Sequence, residues 1–103
     1  MKKASLAICL GVGAACFASG ARAGEKPQLP EIIAQCAACH GVDGVAKDVE
    51  IPNLAAQHDR YLYTQLQNFR SGKRPHKEMR YMSRQLTDDE MTAVAQYYSN
   101  MPH

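Results

Sequence analysis

Residues 36–40 read Cys-Ala-Ala-Cys-His and form the most informative stretch of this sequence. On one turn of helix, Cys36 and Cys39 lie three residues apart on the same side, so both sulfur atoms can reach a common partner. His40 follows directly and adds an imidazole at the same end of the turn. Two thiols and an imidazole within five residues therefore mark this turn as the chemical centre of the chain.

A Cys-x-x-Cys pair serves in proteins as a disulfide, a redox dithiol, half of a zinc site or an attachment point for a cofactor. A thioredoxin-like dithiol belongs to a βαβ pattern, which this sequence lacks. A zinc site needs four ligands, and the remaining imidazoles have no recognisable metal-binding spacing: His58, His76 and His103. A directly adjacent His is instead typical of haem attachment. We therefore predict one haem c bound through Cys36 and Cys39, with His40 as the proximal ligand of its iron.

Residues 1–23 have the pattern of a secretory signal peptide. Two lysines precede an apolar run over residues 4–18, and Ala-Arg-Ala at residues 21–23 forms a cleavage site of the A-x-A type. The run is shorter than the ~20 residues that a membrane-spanning helix needs, which disfavours an uncleaved anchor. We expect cleavage before Gly24, a periplasmic protein, and one monohaem domain over residues 24–103.

Removal of the signal peptide changes both the charge and the cysteine count. It leaves nine Lys and Arg against ten Asp and Glu, so the formal net charge falls from +2 to −1. Nucleic-acid-binding domains are usually clearly basic, so the mature composition argues against that class. Cys9 and Cys16 leave with the signal, and Cys36 and Cys39 remain. The 80-residue mature chain can bury only a small core, to which a prosthetic group would add apolar volume.

Helical spacing recurs in three segments, whereas strand patterns are weak. The first helix is expected over about residues 30–39, followed by a loop over about residues 42–58. The second is expected to begin with Asp59 as its cap and to end near Ser71 and Gly72. Its apolar side chains share one face: Leu62, Leu66 and Phe69.

The last helix has the clearest start. Thr87 and Glu90 form a capping box, and three acidic residues follow Thr87 at the positive end of the helix dipole. Its apolar stripe comprises Met91, Val94, Ala95 and Tyr98. Between the second helix and this one lies the basic arm, residues 70–84, which contains Met79 and Met82.

Four stretches carry a family resemblance: Cys-Ala-Ala-Cys-His-Gly at 36–41, Ile-Pro-Asn-Leu-Ala at 51–55, Tyr-Leu at 61–62 with Gln-Leu at 65–66 and Phe-Arg at 69–70, and Leu-Thr-Asp-Asp-Glu at 86–90 with Tyr-Tyr at 97–98. In these stretches the sequence resembles the class I c-type cytochromes, particularly cytochrome c-553 and one half of dihaem cytochrome c-4. The resemblance implies an all-α fold of three main helices and loops around one haem, with the first and last helices packed across each other. It also implies that the Pro52 carbonyl accepts a hydrogen bond from the second ring nitrogen of His40 and orients the imidazole.

A low-spin electron carrier needs a second axial ligand, from a segment well separated from His40. The basic arm supplies Met79, Met82 and His76, and spacing alone does not decide among them. The family usually places its axial Met seven residues before the Leu that opens the last helix, here Leu86, so the resemblance favours Met79 as the second metal ligand. A His/Met pair implies a higher reduction potential than a bis-His pair and hence a carrier at the oxidising end of a respiratory chain.

Charge is distributed unevenly along the mature chain. The basic arm has one acidic residue, Glu78, and six bases: Arg70, Lys73, Arg74, Lys77, Arg80 and Arg84. These bases form either a solvated loop that neutralises the haem propionates or a docking surface for redox proteins with acidic patches.

Three functions stay open at this point. The first is an electron carrier that is not itself an enzyme and meets the membrane only through partner complexes. The second is a dedicated electron-transfer subunit of one periplasmic dehydrogenase. The third, from another class, is a haem peroxidase or gas sensor with an open iron site.

Overall fold

A computed structural model describes residues 27–103. In chain order its helices are α1 (Leu29–His40), α2 (Asp59–Ser71), α3 (Lys77–Arg84) and α4 (Asp88–Ser99), and no strand occurs within this range. The predicted all-α class is therefore confirmed. The predicted signal peptide and the predicted cleavage site lie outside the described residues. No helix from residue 27 onward has the length and apolarity that crossing a membrane requires.

The first helix, α1, extends one residue beyond its predicted limits at each end. The Gln28 backbone N–H donates to Glu31 Oε2 over 2.9 Å, which satisfies one of the free groups at the helix start. Ile32 and Ile33 are buried in the core. The helix ends at Gly41, whose φ of 89° breaks the helical path directly after the Cys-Ala-Ala-Cys-His motif.

The predicted cap of α2 was wrong by one residue. His58, with an extended backbone, is the N-cap, and its carbonyl accepts the first helical hydrogen bond from the Leu62 N–H over 3.0 Å. Asp59 is the first residue of the helix, and its Oδ1 accepts from the Arg60 N–H over 2.7 Å. The predicted end is confirmed, since α2 stops at Ser71 before a left-handed Gly72.

The capping box of α4 is confirmed. Glu90 Oε1 accepts from the Thr87 N–H over 2.9 Å, and Thr87 Oγ1 accepts from the Glu90 N–H over 3.1 Å. The four residues of its predicted apolar stripe are all buried. This stripe packs against α1 and α2, so the core lies where the first, second and last helices meet: Ile32, Ile33, Leu62, Val94, Ala95 and Tyr98.

The helix α3 was not predicted, because its segment was taken as an irregular part of the basic arm. It packs against α2 and is amphipathic. Its inner side carries two half-buried methionines, Met79 and Met82, and the fully buried Ser83. Its outer side is exposed and carries side chains at i, i+3, i+4 and i+7: Lys77, Arg80, Tyr81 and Arg84. The charged outer side had hidden the apolar spacing in the sequence.

Candidate haem-binding site

The last turn of α1 places the two thiols and the imidazole of the motif together. Cys36 is half-buried and packs against the core, whereas Cys39 is exposed. Both are free thiols in the structure, so neither is consumed in a disulfide. Covalent attachment of a cofactor at this turn would therefore require no disulfide to be reduced first.

The imidazole of His40 is held by a backbone group from the following loop. Its side chain is buried, and Nδ1 lies 2.8 Å from the carbonyl oxygen of Pro52. Because a carbonyl can only accept, Nδ1 carries the proton and donates this hydrogen bond. The other ring nitrogen, Nε2, then has its lone pair free to bind iron.

The loop between α1 and α2 is folded so that Pro52 reaches His40. The Gly44 carbonyl accepts hydrogen bonds from the N–H groups of Leu54 and Ala55, at 2.8 and 3.0 Å. Across the same loop, Asn53 Oδ1 accepts from the Ala46 N–H over 2.7 Å. These bonds join residues 44–46 to residues 53–55, which directly follow Pro52, and so hold its carbonyl in place.

The pKa of the Cys36 thiol is raised, chiefly because burial disfavours the thiolate, while a hydrogen bond to the backbone lowers it in part. Its neighbour Tyr98 is fully buried, and no hydrogen-bond partner for its hydroxyl occurs among residues 27–103. Burial raises the pKa of Tyr98, and the nearby Cys36 and Tyr97 raise it further. Cys36 is therefore the more buried thiol of the pair, and Cys39 is the accessible one.

The candidate second ligands all lie in or beside α3. Met79 and Met82 share its inner side, so burial alone does not separate them. The ring of His76 is engaged differently, because its Nδ1 accepts a hydrogen bond from the Met79 N–H over 3.2 Å. From the sequence, His76 was predicted only as a candidate ligand, and this hydrogen bond was not predicted. The three-residue spacing of Met79 and Met82 was the available signal that both side chains lie on one side of a helix.

A zinc site finds no support in the structure. From residue 27 to the end of the chain, no group of three or more His, Cys, Asp or Glu side chains is arranged to hold a metal ion. One imidazole with two adjacent free thiols is instead the donor set that covalent haem attachment uses. The residues present therefore fit haem c.

The bases of the arm do not all have the same surroundings. Arg70 pairs with Asp88 over 2.7 Å, and Arg74 donates to Gln65 Oε1 over 2.7 Å while its guanidinium lies 4.6 Å from the centre of the Phe69 ring. Four bases form neither an ion pair nor a side-chain hydrogen bond with any residue from 27 to 103: Lys73, Lys77, Arg80 and Arg84. The structure thus reduces the six bases to four whose charge is available to a partner.

Comparison with known proteins agrees with this site. The sequence profile of the family described as Cytochrome c matches residues 30–102. The chain is 38% identical over 85 residues to a thiosulfate dehydrogenase electron acceptor of Stutzerimonas stutzeri, covering 80% of this chain and 39% of the relative. It is 36% identical over 106 residues to cytochrome c4 of the same species, covering 93% of this chain and 48% of the relative.

The chain spans about half the length of these two relatives or less. It matches cytochrome c-554(548) of Halomonas halodenitrificans over nearly the whole of that protein, with 35% identity over 81 residues that cover 76% of this chain and 98% of the relative. Fold, donor set and profile lead to one assignment: the chain belongs to the cytochrome c family of electron-transport proteins, and its cofactor is covalently bound haem c.

Proposed function

We propose that the mature protein is a periplasmic carrier of single electrons, with haem c attached at Cys36 and Cys39 and with His40 and Met79 as the axial ligands. The observation that carries this proposal is the hydrogen bond from His40 Nδ1 to the Pro52 carbonyl, which leaves Nε2 free for iron. The haem, when bound, supplies an iron centre that alternates between the ferrous and ferric states.

The protein holds the imidazole so that it changes little when the iron changes its charge. Burial and the Pro52 carbonyl fix the ring of His40, and the carbonyl also increases the basicity of the imidazole. A Met79 thioether is a soft ligand that favours ferrous iron and raises the reduction potential. Together they support electron transfer without a rearrangement of the ligands.

The export step belongs to the same proposal. Residues 1–23 act as a signal peptide that is removed before Gly24, and residues 24–103 form the monohaem domain. The periplasm oxidises cysteine pairs to disulfides unless another bond engages them, and attachment to haem would engage both Cys36 and Cys39. A mass spectrum of the exported protein should equal the mass of residues 24–103 plus one haem, and a mass that includes residues 1–23 would contradict this step.

The test of the axial ligands uses two matched variants, Met79→Ala and Met82→Ala. The oxidised protein should show the weak Met-to-iron charge-transfer band at the red end of the visible spectrum. We expect Met79→Ala to abolish this band and Met82→Ala to keep it, because Met79 is the proposed ligand. The two variants are matched, since each removes one thioether from the same side of α3. Retention of the band in Met79→Ala, with its loss in Met82→Ala, would transfer the role to Met82.

The same proteins separate a carrier from a haem enzyme or gas sensor. A firmly held thioether blocks the iron, so the reduced wild-type protein should not bind carbon monoxide without prior denaturation. The reduced Met79→Ala protein should bind it. Rapid binding by the wild type would favour the open-site function over the carrier.

A second candidate function is that of a dedicated acceptor for one dehydrogenase. The similarity to a protein named thiosulfate dehydrogenase electron acceptor favours it. The haem chemistry is the same in both functions, and they differ in how long the partner stays bound. Recovery of a stoichiometric complex with a dehydrogenase from periplasmic extract would favour the dedicated acceptor, and recovery of the free protein would favour the diffusing carrier.

A further inference from the structure

The short helix α3 is capped by a histidine. His76 has an extended backbone, and its Nδ1 accepts from the Met79 N–H over 3.2 Å, while its carbonyl accepts from the Arg80 N–H over 2.9 Å. Glu78 Oε2 lies 3.6 Å from the same Nδ1, which is too far for a hydrogen bond. The ring nitrogen therefore acts as the acceptor that Ser, Thr, Asp or Asn usually provides at this position.

The ring of His76 is anchored to α2 from its other side. It meets Phe69 edge-on, with ring centres 6.0 Å apart and planes at 65°. Phe69 is buried, and the guanidinium of Arg74 lies over its ring at 4.6 Å. The backbone turns back at the same place, where the Arg74 N–H donates to the Asn68 carbonyl over 3.0 Å. The cap of α3 is thus fixed relative to a core residue of α2.

The hydrogen bond to this cap is donated by the backbone N–H of Met79. With eight residues, α3 has little more than two turns, and a helix of this length is not stable without outside contacts. The capped N–H belongs to the residue whose thioether is the proposed iron ligand. A chain of contacts therefore runs from the buried Phe69 through the ring of His76 to the backbone of Met79.

We propose that His76 is the positioning residue for Met79: through its capping hydrogen bond it holds the first turn of α3 so that the thioether stays on the iron. The inference rests on the proposed function, in which Met79 is the axial ligand. Without the cap, the start of α3 opens more often, and the thioether leaves the iron more often. His76 acts through the backbone of Met79 and does not itself touch the iron.

The test compares His76→Ala, His76→Asn and His58→Ala in the haem-containing protein. His58 is a matched control, because it is the N-cap of α2 but its side chain makes no capping hydrogen bond. Asn is a strong N-cap and should restore the acceptor that Ala removes. The His76 side chain is 49% exposed, so its removal opens no cavity in the core.

The readout is the rate at which ferric protein binds cyanide, which requires the thioether to leave the iron first. We expect His76→Ala to bind cyanide about fivefold faster than the wild type, the equivalent of the ~1 kcal/mol that a lost N-cap costs. His76→Asn should lie within about twofold of the wild type, and His58→Ala should equal it. Hydrogen exchange of the Met79 amide should accelerate in His76→Ala alone.

Wild-type cyanide binding by His76→Ala would overturn the proposal. Faster exchange of the Met79 amide without faster cyanide binding would overturn it as well, because the cap would then serve the helix and not the ligand. Equal acceleration in His76→Asn would also contradict it, since that variant keeps an acceptor. A different experiment tests the proposed function: retention of the charge-transfer band in Met79→Ala would contradict Met79 as the axial ligand.

Discussion

Gly41 shows how strongly one residue constrains the candidate site. It follows His40 with φ 89° and ψ 149°, a backbone conformation that is essentially confined to glycine. A Cβ atom at this position would collide with the carbonyl oxygen of Val45 and lie 3.0 Å from Asp43 Oδ1. The turn that directs the loop toward Pro52 therefore needs glycine for two independent reasons, its dihedral angles and its space.

Gly41→Ala should lower the free energy of unfolding of the haem-containing protein by about 3 kcal/mol, since backbone strain and a steric collision combine. Gly72→Ala is the matched control. Gly72 also has a positive φ of 84°, but it lies in the left-handed region, and its nearest neighbour would be the end of the Arg80 side chain at 3.6 Å. The control should lose only about 1 kcal/mol in chemical denaturation. Equal losses of stability in the two variants would show that the protein relieves the collision between the added Cβ atom and Val45 without further destabilisation.

At the scale of elements, the start of α4 is joined to the end of α2. The guanidinium of Arg70 pairs with Asp88 over 2.7 Å and also donates to the Leu86 carbonyl over 3.3 Å. The two charged side chains are 33% and 66% exposed, so solvent screens this pair and its contribution is small. The capping box of Thr87 and Glu90 satisfies two backbone N–H groups directly, and we expect it to contribute more to the start of α4.

Thr87→Ala should lower the free energy of unfolding by about 1 kcal/mol, because the Glu90 N–H loses its acceptor at the helix start. Thr92→Ala removes an exposed threonine from the same helix, one whose hydroxyl donates to the Asp88 carbonyl inside the first turn. That control should change stability by less than about 0.5 kcal/mol. Thermal or urea unfolding of both variants measures the difference. A similar loss in the two proteins would mean that the cap is not what stabilises α4.

At the scale of the whole molecule, positive and negative charges are concentrated on two helices that follow each other in the chain, α3 and α4. The four arm bases that form neither an ion pair nor a side-chain hydrogen bond with residues 27–103 lie on α3 and on the turn before it, whereas α4 begins with three acids. The outer side of α3 presents its bases around the exposed ring of Tyr81. Acidic patches on a redox partner would be attracted to this side, and transient redox complexes use such attraction to associate rapidly.

Neutralising two of these bases tests the docking surface. We expect Lys77→Gln with Arg84→Gln to slow electron transfer to an acidic partner by about 3- to 10-fold at low ionic strength and to flatten its salt dependence. Lys47→Gln with Arg60→Gln removes the same charge from exposed positions outside the arm and should have a smaller effect. Stopped-flow kinetics over a range of salt concentrations provides the measurement. Equal effects in both pairs would assign the salt dependence to net charge alone.

Features that depend on residues within one or two turns could be read from the sequence. The motif at residues 36–40 identified the cofactor, and Thr87 with Glu90 identified the start of α4, because in each case the interacting groups are at most four residues apart. The apolar stripe of α4 could also be predicted from the sequence, since helical periodicity places those side chains on one buried face. Such patterns depend only on local backbone geometry, so they have the same meaning wherever the segment lies in the fold.

The contacts that complete the site depend on how distant segments meet. The bond from His40 to the Pro52 carbonyl spans 12 residues and forms because the loop folds back on itself, and the family resemblance rather than any spacing anticipated it. The cap of α3 was not predicted from the sequence, because the ring of His76 is oriented by a contact with Phe69 on another helix. Local chemistry thus indicated which residues are candidates to bind the haem, and contacts between distant segments decided how their side chains are held.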